Sequence, residues 1–312
     1  MYHPDLPGRC WIEPHARARR ARAGPLASAP MPAALPEFAV IGTQKGGTTT
    51  LWHRLRSHPD LFLPSLKEPN FFLEEGNWHR GLDWYRDLFA PRRAGQIAGE
   101  VSPGYTMFPT FAGVPRRMRS VLPEVRLVYL IREPVSRMVS NWAQSRVDHL
   151  EHRPLGRSLL SDLRYVSLSQ YATQLEQYLE HFGRDSLLVL KSEDLSEDPE
   201  ATLGRICRFI GVDPAGLAPD DRRLNQSADK RMPTAAATMA YRLAGAGPGQ
   251  AAARTLLDRL AARGSNLTHR PFSPQDVELG EELRGRLASY LSVEMRRLRD
   301  LIGPDIDLWG YA

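Results

Sequence analysis

The sequence predicts an α/β protein with a mainly parallel sheet flanked by helices, in a single domain. Apolar runs with strand character alternate along the chain with segments of helical spacing, which is typical of parallel strands joined by helical crossovers. In FAVIGTQKGGTTTLWHRLRSHPD, residues 38–60, a buried strand passes through a tight polar turn into an amphipathic helix. Because crossover helices cover both faces of such a sheet, we expect helices on both sides.

Four apolar runs are predicted to be strands of this sheet. Each is rich in aliphatic residues and is bounded by polar or turn-forming residues. They are EFAVIG at 37–42, QIAGEVS at 96–102, VRLVYLIRE at 125–133 and SLLVLKSED at 186–194.

Later segments have helical patterns. SQYATQLEQYLEHFG, residues 169–183, ends in Gly183, which we interpret as a C-cap. Its apolar stripe consists of Tyr171, Leu175, Tyr178 and Phe182. DPEATLGRICRFIGV starts with Asp198, a good N-cap residue. A last helix is predicted over 273–301, and residues 212–272 are predicted to form loops and short helices.

Composition and length indicate a globular chain. Of its 312 residues, 42% are hydrophobic and 25% are charged, enough to bury a substantial core. No window reaches the roughly 18 consecutive apolar residues of a membrane span, and no secretory signal is recognised, so a cytoplasmic location is expected. With only two cysteines, neither a disulfide framework nor a thiolate metal site is expected, and Cys207 is interpreted as core.

The positive charge is concentrated at the amino-terminal end. The formal net charge is +5, and residues 1–36 contain five arginines and two acidic residues. This Arg-, Ala- and Pro-rich segment lacks apolar periodicity and is predicted to be a disordered leader to a domain at 37–312. The nearly neutral remainder disfavours a basic nucleic-acid-binding protein, one of two alternative functions.

The turn after the first strand is typical of an anion site. Lys45 supplies a charge, and a run of backbone N–H groups can surround the anion. These groups belong to Gly46, Gly47, Thr48, Thr49 and Thr50. A Walker A loop needs its lysine directly after the second glycine, but here Lys45 precedes the glycine pair. The other alternative, a P-loop kinase-like nucleotide-dependent transferase, is therefore disfavoured.

Six segments occur in an order that points to one family: GTQKGGTTTL, KEPNFF, GLDWYRDLF, LVYLIREPVSRMVSNW, QYATQLEQYLEHFG and LLVLKSEDLSEDPEATLGRICRFIGV. These segments lie between residues 42 and 212, and the resemblance that they support extends over about residues 37–235. The chain resembles the sulfotransferases that use 3′-phosphoadenosine 5′-phosphosulfate (PAPS), in particular the heparan-sulfate-type branch and its bacterial relatives. The resemblance implies a P-loop-like sulfotransferase fold.

The resemblance assigns the strand-to-helix segment around residue 132 to the 3′-phosphate of PAPS. Arg132 and Ser140 are its predicted ligands, and the residue types agree, because a guanidinium is a fixed fork for phosphate and a hydroxyl adds a neutral donor. RLNQSADKRMP, residues 223–233, is similar to a loop that covers the nucleotide, so Lys230 and Arg231 are predicted to reach its phosphates. No metal ion is expected, because a sulfuryl group carries less charge than a phosphoryl group.

Two residues are predicted to be catalytic. Lys45 would stabilise the negative charge that grows on the bridging oxygen of the donor. Glu68, in SLKEPNFF, would take the acceptor proton, by resemblance to the family's glutamate. Asn70, where many relatives have histidine, and Glu100, in GEVSPGY, are predicted to lie on the acceptor side. For Glu100 a structural role is the alternative.

The expected activity is transfer of a sulfuryl group from PAPS to an acceptor hydroxyl, or less readily an amine, with release of 3′,5′-ADP. A glycan, a glycolipid and a secondary metabolite all fit as the acceptor.

Overall fold

The structure is a computed structural model that describes residues 35–148, 150–217, 231–234, 237–239, 269–271 and 273–311. The predicted leader lies outside the described residues, except for positions 35 and 36. Most of the segment 212–272, for which loops and short helices are predicted, also lies outside them.

A five-stranded sheet forms the centre of the described structure. Its strands are β1 (Phe38–Gly42), β2 (Leu61–Phe62), β3 (Ile97–Val101), β4 (Arg126–Ile131) and β5 (Leu187–Lys191). The order is β2-β3-β1-β4-β5, and every neighbouring pair is parallel. The predicted parallel sheet is thereby confirmed. The sequence analysis missed β2, because two residues carry no detectable periodicity.

Helices and short 3-10 turns connect the strands. The α-helices of the described residues are α1 (Thr48–Arg56), α2 (Gly81–Asp87), α3 (Val114–Val121), α4 (Pro134–Val147), α5 (Leu155–Ser161), α6 (Leu163–Ser167), α7 (Tyr171–Leu179), α8 (Ser192–Glu197), α9 (Pro199–Ile210) and α10 (Glu281–Ile302). The 3-10 turns are Trp78–Arg80, Pro103–Thr106, Arg184–Ser186, Pro214–Gly216 and Pro274–Val277. None of the described helices is long and apolar enough to span a membrane.

The sheet is covered on both faces, as alternating side chains of β1 illustrate. Phe38 and Val40 pack in one cluster with residues of α1 and α9. Ala39 and Ile41 point to the opposite face and pack in a second cluster with residues of α7 and α10. Since both faces are apolar, the strand has no polar alternation, which is why it appears in the sequence as a continuous apolar run.

Two predicted helix features are confirmed. The side chain of Asp198 accepts a hydrogen bond from the Ala201 amide at 3.0 Å and caps α9. The apolar stripe of α7 is buried, as is Cys207 on α9.

Three predicted boundaries are wrong. Gly183 is no C-cap: α7 ends at Leu179, and Gly183 has φ −66°. The last helix starts at Glu281 instead of 273, because the cap formed by Ser273 serves only a one-turn 3-10 helix. The strand predicted over 186–194 is β5, which ends at Lys191, and α8 begins at the next residue.

A small pair of strands lies where only loops and short helices were predicted. β6 (Arg231–Pro233) and β7 (His269–Pro271) pair in antiparallel fashion. Each strand has three residues and contains a proline, so neither gives a strand signal in the sequence.

We expect Gly99 in β3 to be sensitive to substitution. A Cβ at this position would collide with the ring of Phe38, which is fully buried and has no room to move. Gly99→Ala should therefore lower the free energy of unfolding by about 1–3 kcal/mol, measured by urea denaturation.

Gly285→Ala is the matched control, because a Cβ at this exposed position of α10 meets nothing within 4 Å. It should leave stability unchanged or raise it by about 0.5–1 kcal/mol. Equal effects of the two substitutions would contradict the packing of Gly99 against Phe38.

Candidate active site

The loops that carry the predicted site residues meet at one edge of the sheet. Strands β1, β3, β4 and β5 are parallel, so their carboxyl ends lie on the same side. β1 lies between β3 and β4, and therefore the loop after β1 is flanked by the segments that follow these two strands. Ligands of open parallel sheets bind at such an edge.

The turn after β1 leads directly into the N-terminus of α1. Gly47 is the N-cap residue of α1 and has a left-handed backbone, with φ 85°. The first intrahelical bond runs from the Leu51 amide to the Gly47 carbonyl at 3.1 Å. The amides of Thr48, Thr49 and Thr50 thus lie outside the hydrogen-bond ladder of α1, as the first amides of any helix do.

The electrostatics of this N-terminus favour an anion. In the described structure, α1 has no acidic residue in its first turn, and its N-cap residue Gly47 has no side chain to cap the helix. The positive end of the helix dipole is therefore not neutralised by the helix itself. This arrangement fits the phosphosulfate that the sequence analysis expects here.

Gly46 contributes differently from the prediction. Its amide donates a hydrogen bond to the Thr43 carbonyl at 3.0 Å, so it closes the turn in this structure and is not directed at an anion. A Cβ on Gly46 would lie 2.9 Å from the Leu130 carbonyl oxygen. Gly46 is needed because the turn packs closely against β4.

Lys45 and Arg132 meet across this turn. The Arg132 guanidinium donates to the Lys45 carbonyl at 3.2 Å, and the Lys45 ammonium donates to Gln144 Oε1 on α4 at 3.2 Å. Ser140 lies one helical turn before Gln144 and hence on the same side of α4. The structure therefore brings together the predicted ligands of both ends of the donor.

Buried groups fix the strand-to-helix turn that carries Arg132. The Tyr171 hydroxyl donates to the Arg132 carbonyl at 2.7 Å. Glu133 caps α4 by accepting from the amides of Val135 and Ser136. Arg137, fully buried, donates to Ser169 Oγ at 2.6 Å. Arg132 is thus held through its backbone, and its side chain reaches the turn after β1.

Of the basic pair predicted to cover the nucleotide, only Arg231 is described. It starts β6, whose Met232 packs with Val135 and Met138 of α4. Arg231 therefore belongs to a strand that lies against the helix bearing Ser140. Lys230 lies outside the described residues.

Glu68 and Asn70 form a tight, strained loop beside the end of β3. Both have left-handed backbone conformations, with φ 60° and 49°, which are uncommon for residues other than glycine. The Glu68 amide donates to the Val101 carbonyl at 3.1 Å. The Glu68 side chain is 37% exposed and pairs with the ammonium of Lys67. Its carboxylate is therefore accessible to an acceptor, while Asn70 is buried.

Glu100 occupies the interior and not the acceptor side. Its carboxylate is fully buried and accepts hydrogen bonds from the hydroxyls of Tyr85, Ser102 and Tyr105 at 2.5, 2.9 and 3.1 Å. Burial raises the pKa of Glu100 from 4.5 to about 7, although these hydrogen bonds oppose the shift. The structure thus corrects the acceptor-side prediction and favours the structural alternative.

A comparison with known protein families shows which family the chain belongs to. The profile of the "Sulfotransferase domain" family matches residues 35–239, well over half of the chain. This chain belongs to the sulfotransferase family. The match confirms the resemblance of the six ordered segments and excludes both alternative classes as the family of this chain.

Two curated relatives illustrate the branch. The chain is 33% identical to human heparan sulfate glucosamine 3-O-sulfotransferase 6 over 230 residues, which cover 66% of this chain and 65% of the relative. It is 29% identical to mouse bifunctional heparan sulfate N-deacetylase/N-sulfotransferase 4 over 199 residues, covering 58% of this chain and 23% of that relative. The chain therefore spans less than two thirds of the length of either protein.

A solved structure shows the same fold. The sulfotransferase from Alicyclobacillus acidocaldarius superposes with a TM-score of 0.65 at 24% identity, covering 88% of this chain and 99% of that one. This likeness confirms the predicted sulfotransferase fold. Among the described residues of our sulfotransferase, no group of three or more His, Cys, Asp and Glu side chains is placed to hold a metal ion.

The sequence analysis missed two residues that touch the predicted catalytic groups. Gln144 holds Lys45, and its position four residues after Ser140 on one helix was the available signal. Lys67 pairs with Glu68 and adjoins it in the sequence, but adjacency alone does not predict an ion pair.

The buried Glu100 should make stability depend on pH. Because its pKa is about 7 in the folded state and near 4.5 when exposed, the folded protein retains a proton that the unfolded chain has lost. The free energy of unfolding should therefore fall as the pH rises from about 4.5 to 7, by at most about 3 kcal/mol. The free energy of unfolding, measured by urea denaturation, should fall less between pH 5 and pH 8 in Glu100→Gln than in the wild type.

Glu124→Gln, which removes an exposed carboxylate, is the control and should follow the wild-type pH dependence. If Glu100→Gln loses as much stability as the wild type over this range, the Glu100 assignment is incorrect.

Proposed function

We propose that this chain transfers a sulfuryl group from PAPS to an acceptor hydroxyl and releases 3′,5′-ADP. The observation that carries this proposal is the meeting of Lys45, Arg132 and the N-terminus of α1 at a single turn. Two cations and a helix N-terminus favour a ligand with several negative charges. PAPS carries such charges at both its 5′ and its 3′ position.

The two ends of the donor would be held by different groups. The amides of Thr48, Thr49 and Thr50 would bind the 5′-phosphosulfate, since they begin α1 and have no partner within the helix. Arg132 and Ser140 would bind the 3′-phosphate, and this contact would distinguish PAPS from ATP, whose ribose has no 3′-phosphate. The proximity of Arg132 to the Lys45 carbonyl supports one continuous donor site.

Lys45 would act on the leaving group. As the acceptor oxygen bonds to sulfur, the bond between sulfur and the bridging oxygen breaks, and negative charge develops on that oxygen. An ammonium beside it stabilises the transition state more than the ground state. The bond to Gln144 Oε1 holds Lys45 at the turn before the donor arrives.

Glu68 would take the acceptor proton. Its carboxylate is partly exposed, and its loop adjoins the end of β3, the strand next to β1. The base is thus supplied from a different strand end than the donor site. Lys67, which pairs with this carboxylate, would help to orient it.

For the acceptor we propose a hydroxyl on a glycan, in the cytoplasm. Support for the glycan comes from the relatives, whose names specify heparan sulfate, with O-sulfation in one and N-sulfation in the other. Transfer of ³⁵S from labelled PAPS should be measured with heparan sulfate, with a glycolipid pool and with a pool of small phenols and alcohols. Labelling of only the small-molecule pool would contradict the glycan assignment but leave the donor assignment intact.

The donor assignment predicts selective stabilisation by the product nucleotide. At equal concentrations, 3′,5′-ADP should raise the melting temperature by several degrees more than 5′-ADP does, since a ligand at 100 times its Kd adds about 2.7 kcal/mol to stability. Arg132→Met should reduce the difference between the melting-temperature shifts that the two nucleotides cause. Arg205→Met, on the exposed face of α9, is the control and should preserve it. Equal shifts from both nucleotides in the wild type would contradict the donor assignment.

The leaving-group assignment predicts a large kinetic effect at Lys45. Lys45→Ala should lower kcat on the order of a hundredfold, the usual scale for losing one preorganised group that stabilises charge. Gln144→Ala should cost less, because it removes only the group that holds Lys45. The melting temperatures of both variants should match that of the wild type. Near wild-type turnover in Lys45→Ala would contradict the role.

A further inference from the structure

The loop that carries Glu68 is held by the segment directly after β3. The amides of Glu68, Asn70 and Phe72 donate in turn to the Val101 carbonyl at 3.1 Å, to Ser102 Oγ at 3.2 Å and to the Tyr105 hydroxyl at 3.4 Å. Alternate amides of one loop are thus bonded to successive groups of the other.

Two of these acceptors are hydroxyls, and Glu100 sets their direction. A serine or tyrosine hydroxyl has a single hydrogen. Ser102 and Tyr105 both donate that hydrogen to the Glu100 carboxylate, at 2.9 and 3.1 Å. Their oxygen lone pairs are then directed to the amides of Asn70 and Phe72. Without an ionised acceptor at position 100, either hydroxyl could rotate and leave its amide.

The loop needs such support because its backbone is strained. Glu68 and Asn70 have φ 60° and 49°, a left-handed conformation that is unfavourable for residues other than glycine and persists only where the surroundings enforce it. The two amides whose hydrogen bonds Ser102 and Tyr105 accept lie on the carboxyl side of Glu68. These hydrogen bonds fix the direction in which the Glu68 side chain leaves the backbone.

We propose that Glu100 is a positioning residue, which orients the carboxylate of Glu68 through the hydroxyls of Ser102 and Tyr105. This inference rests on the proposed function, in which Glu68 takes the acceptor proton. Glu100 itself is fully buried, so its carboxylate cannot contact the molecule that receives the sulfuryl group. It is also no proton relay, because its connection to the loop runs through backbone amides, which do not carry a proton onward.

The surroundings of Glu100 keep it sensitive to pH. The titratable groups that face it are Tyr85 from α2, Tyr105 from the 3-10 turn after β3 and Tyr178 from α7. Burial raises the pKa of Glu100 to about 7. When Glu100 is protonated it becomes a donor, and one of its hydroxyl partners must then accept instead of donating. Experiments at pH 8 therefore test the ionised network.

The first test needs no acceptor. Hydrogen exchange of individual amides is measured by NMR at pH 8 in the full chain. In Glu100→Gln, the amides of Asn70 and Phe72 should exchange roughly fivefold faster than in the wild type, relative to amides of β4, because each loses a hydrogen bond. Glu100 contacts neither amide, so this result requires transmission through the hydroxyls.

Tyr85→Phe is the matched control. It also removes a hydroxyl that donates to Glu100, but this hydroxyl accepts no hydrogen bond from the described amides of the loop, and the ring that stacks on Phe71 is kept. Exchange at Asn70 and Phe72 should stay near the wild-type rate in this variant. If Glu100→Gln leaves both amides unchanged, or if Tyr85→Phe accelerates them equally, the inference is overturned.

The second test is a kinetic double-mutant cycle, with ³⁵S-labelled PAPS as donor and heparan sulfate as acceptor at pH 8. Glu68→Gln should lower kcat by about 10² to 10⁴. Glu100→Gln and Ser102→Ala should each lower kcat on the order of ten- to hundredfold through misplacement of the base, with the affinity for 3′,5′-ADP unchanged. Combined with Glu68→Gln, Glu100→Gln should cause no further loss, because it acts through Glu68.

Independent, multiplying losses in the double variant would overturn the inference, as would an inactive Glu100→Gln beside an active Glu68→Gln. The two tests also separate this inference from the proposed function. If the wild type transfers no label to any acceptor but Glu100→Gln shows the predicted amide exchange, the proposed function is contradicted. The link from Glu100 to the loop of Glu68 is then retained. If the wild type transfers label normally but Glu100→Gln leaves the amide exchange unchanged, only the positioning role of Glu100 is contradicted.

Discussion

The parallel pairing of β1 with both β3 and β4 is the constraint on which the site depends. It places the ends of three strands side by side, so residues separated by about 90 positions in the chain reach the same turn. Lys45 and Arg132 illustrate this, because the guanidinium that follows β4 bonds to the carbonyl of the lysine that follows β1. An antiparallel neighbour would have placed one of these cations at the opposite edge of the sheet.

The donor side is built from charge and backbone geometry. Close packing of the turn against β4 requires Gly46, and the left-handed Gly47 lets the chain enter α1 at once. The result is a helix N-terminus next to two cations, with no acidic residue in its first turn. Buried groups behind this surface, such as the Tyr171 hydroxyl, fix the backbone and leave the side chain of Arg132 directed at the turn.

The acceptor side follows a different physical principle. In the proposed function the carboxylate of Glu68 must stay accessible on a strained loop, and the amides of that loop donate hydrogen bonds to groups of the interior. Glu100, Ser102 and Tyr105 lie on one stretch of chain, so a single buried carboxylate can set the direction of two hydroxyls. Two glutamates near the end of β3 thus have opposite environments: the side chain of Glu68 is accessible and that of Glu100 is enclosed.

The sequence by itself determined the parallel sheet, the tight turn between β1 and α1 and the family, because these depend on local patterns: continuous apolar strands, the order of Lys45, Gly46 and Gly47, and six short segments in a fixed order. Local patterns also sufficed for the cap at Asp198. Only the tertiary structure decided how Glu100 is used, since its burial and its three hydroxyl partners come from elements that the sheet brings together. The same holds for the close packing of Gly46 against β4 and for the short pairing strands β6 and β7. These features depend on contacts between distant residues, and single-residue preferences carry no information about such contacts.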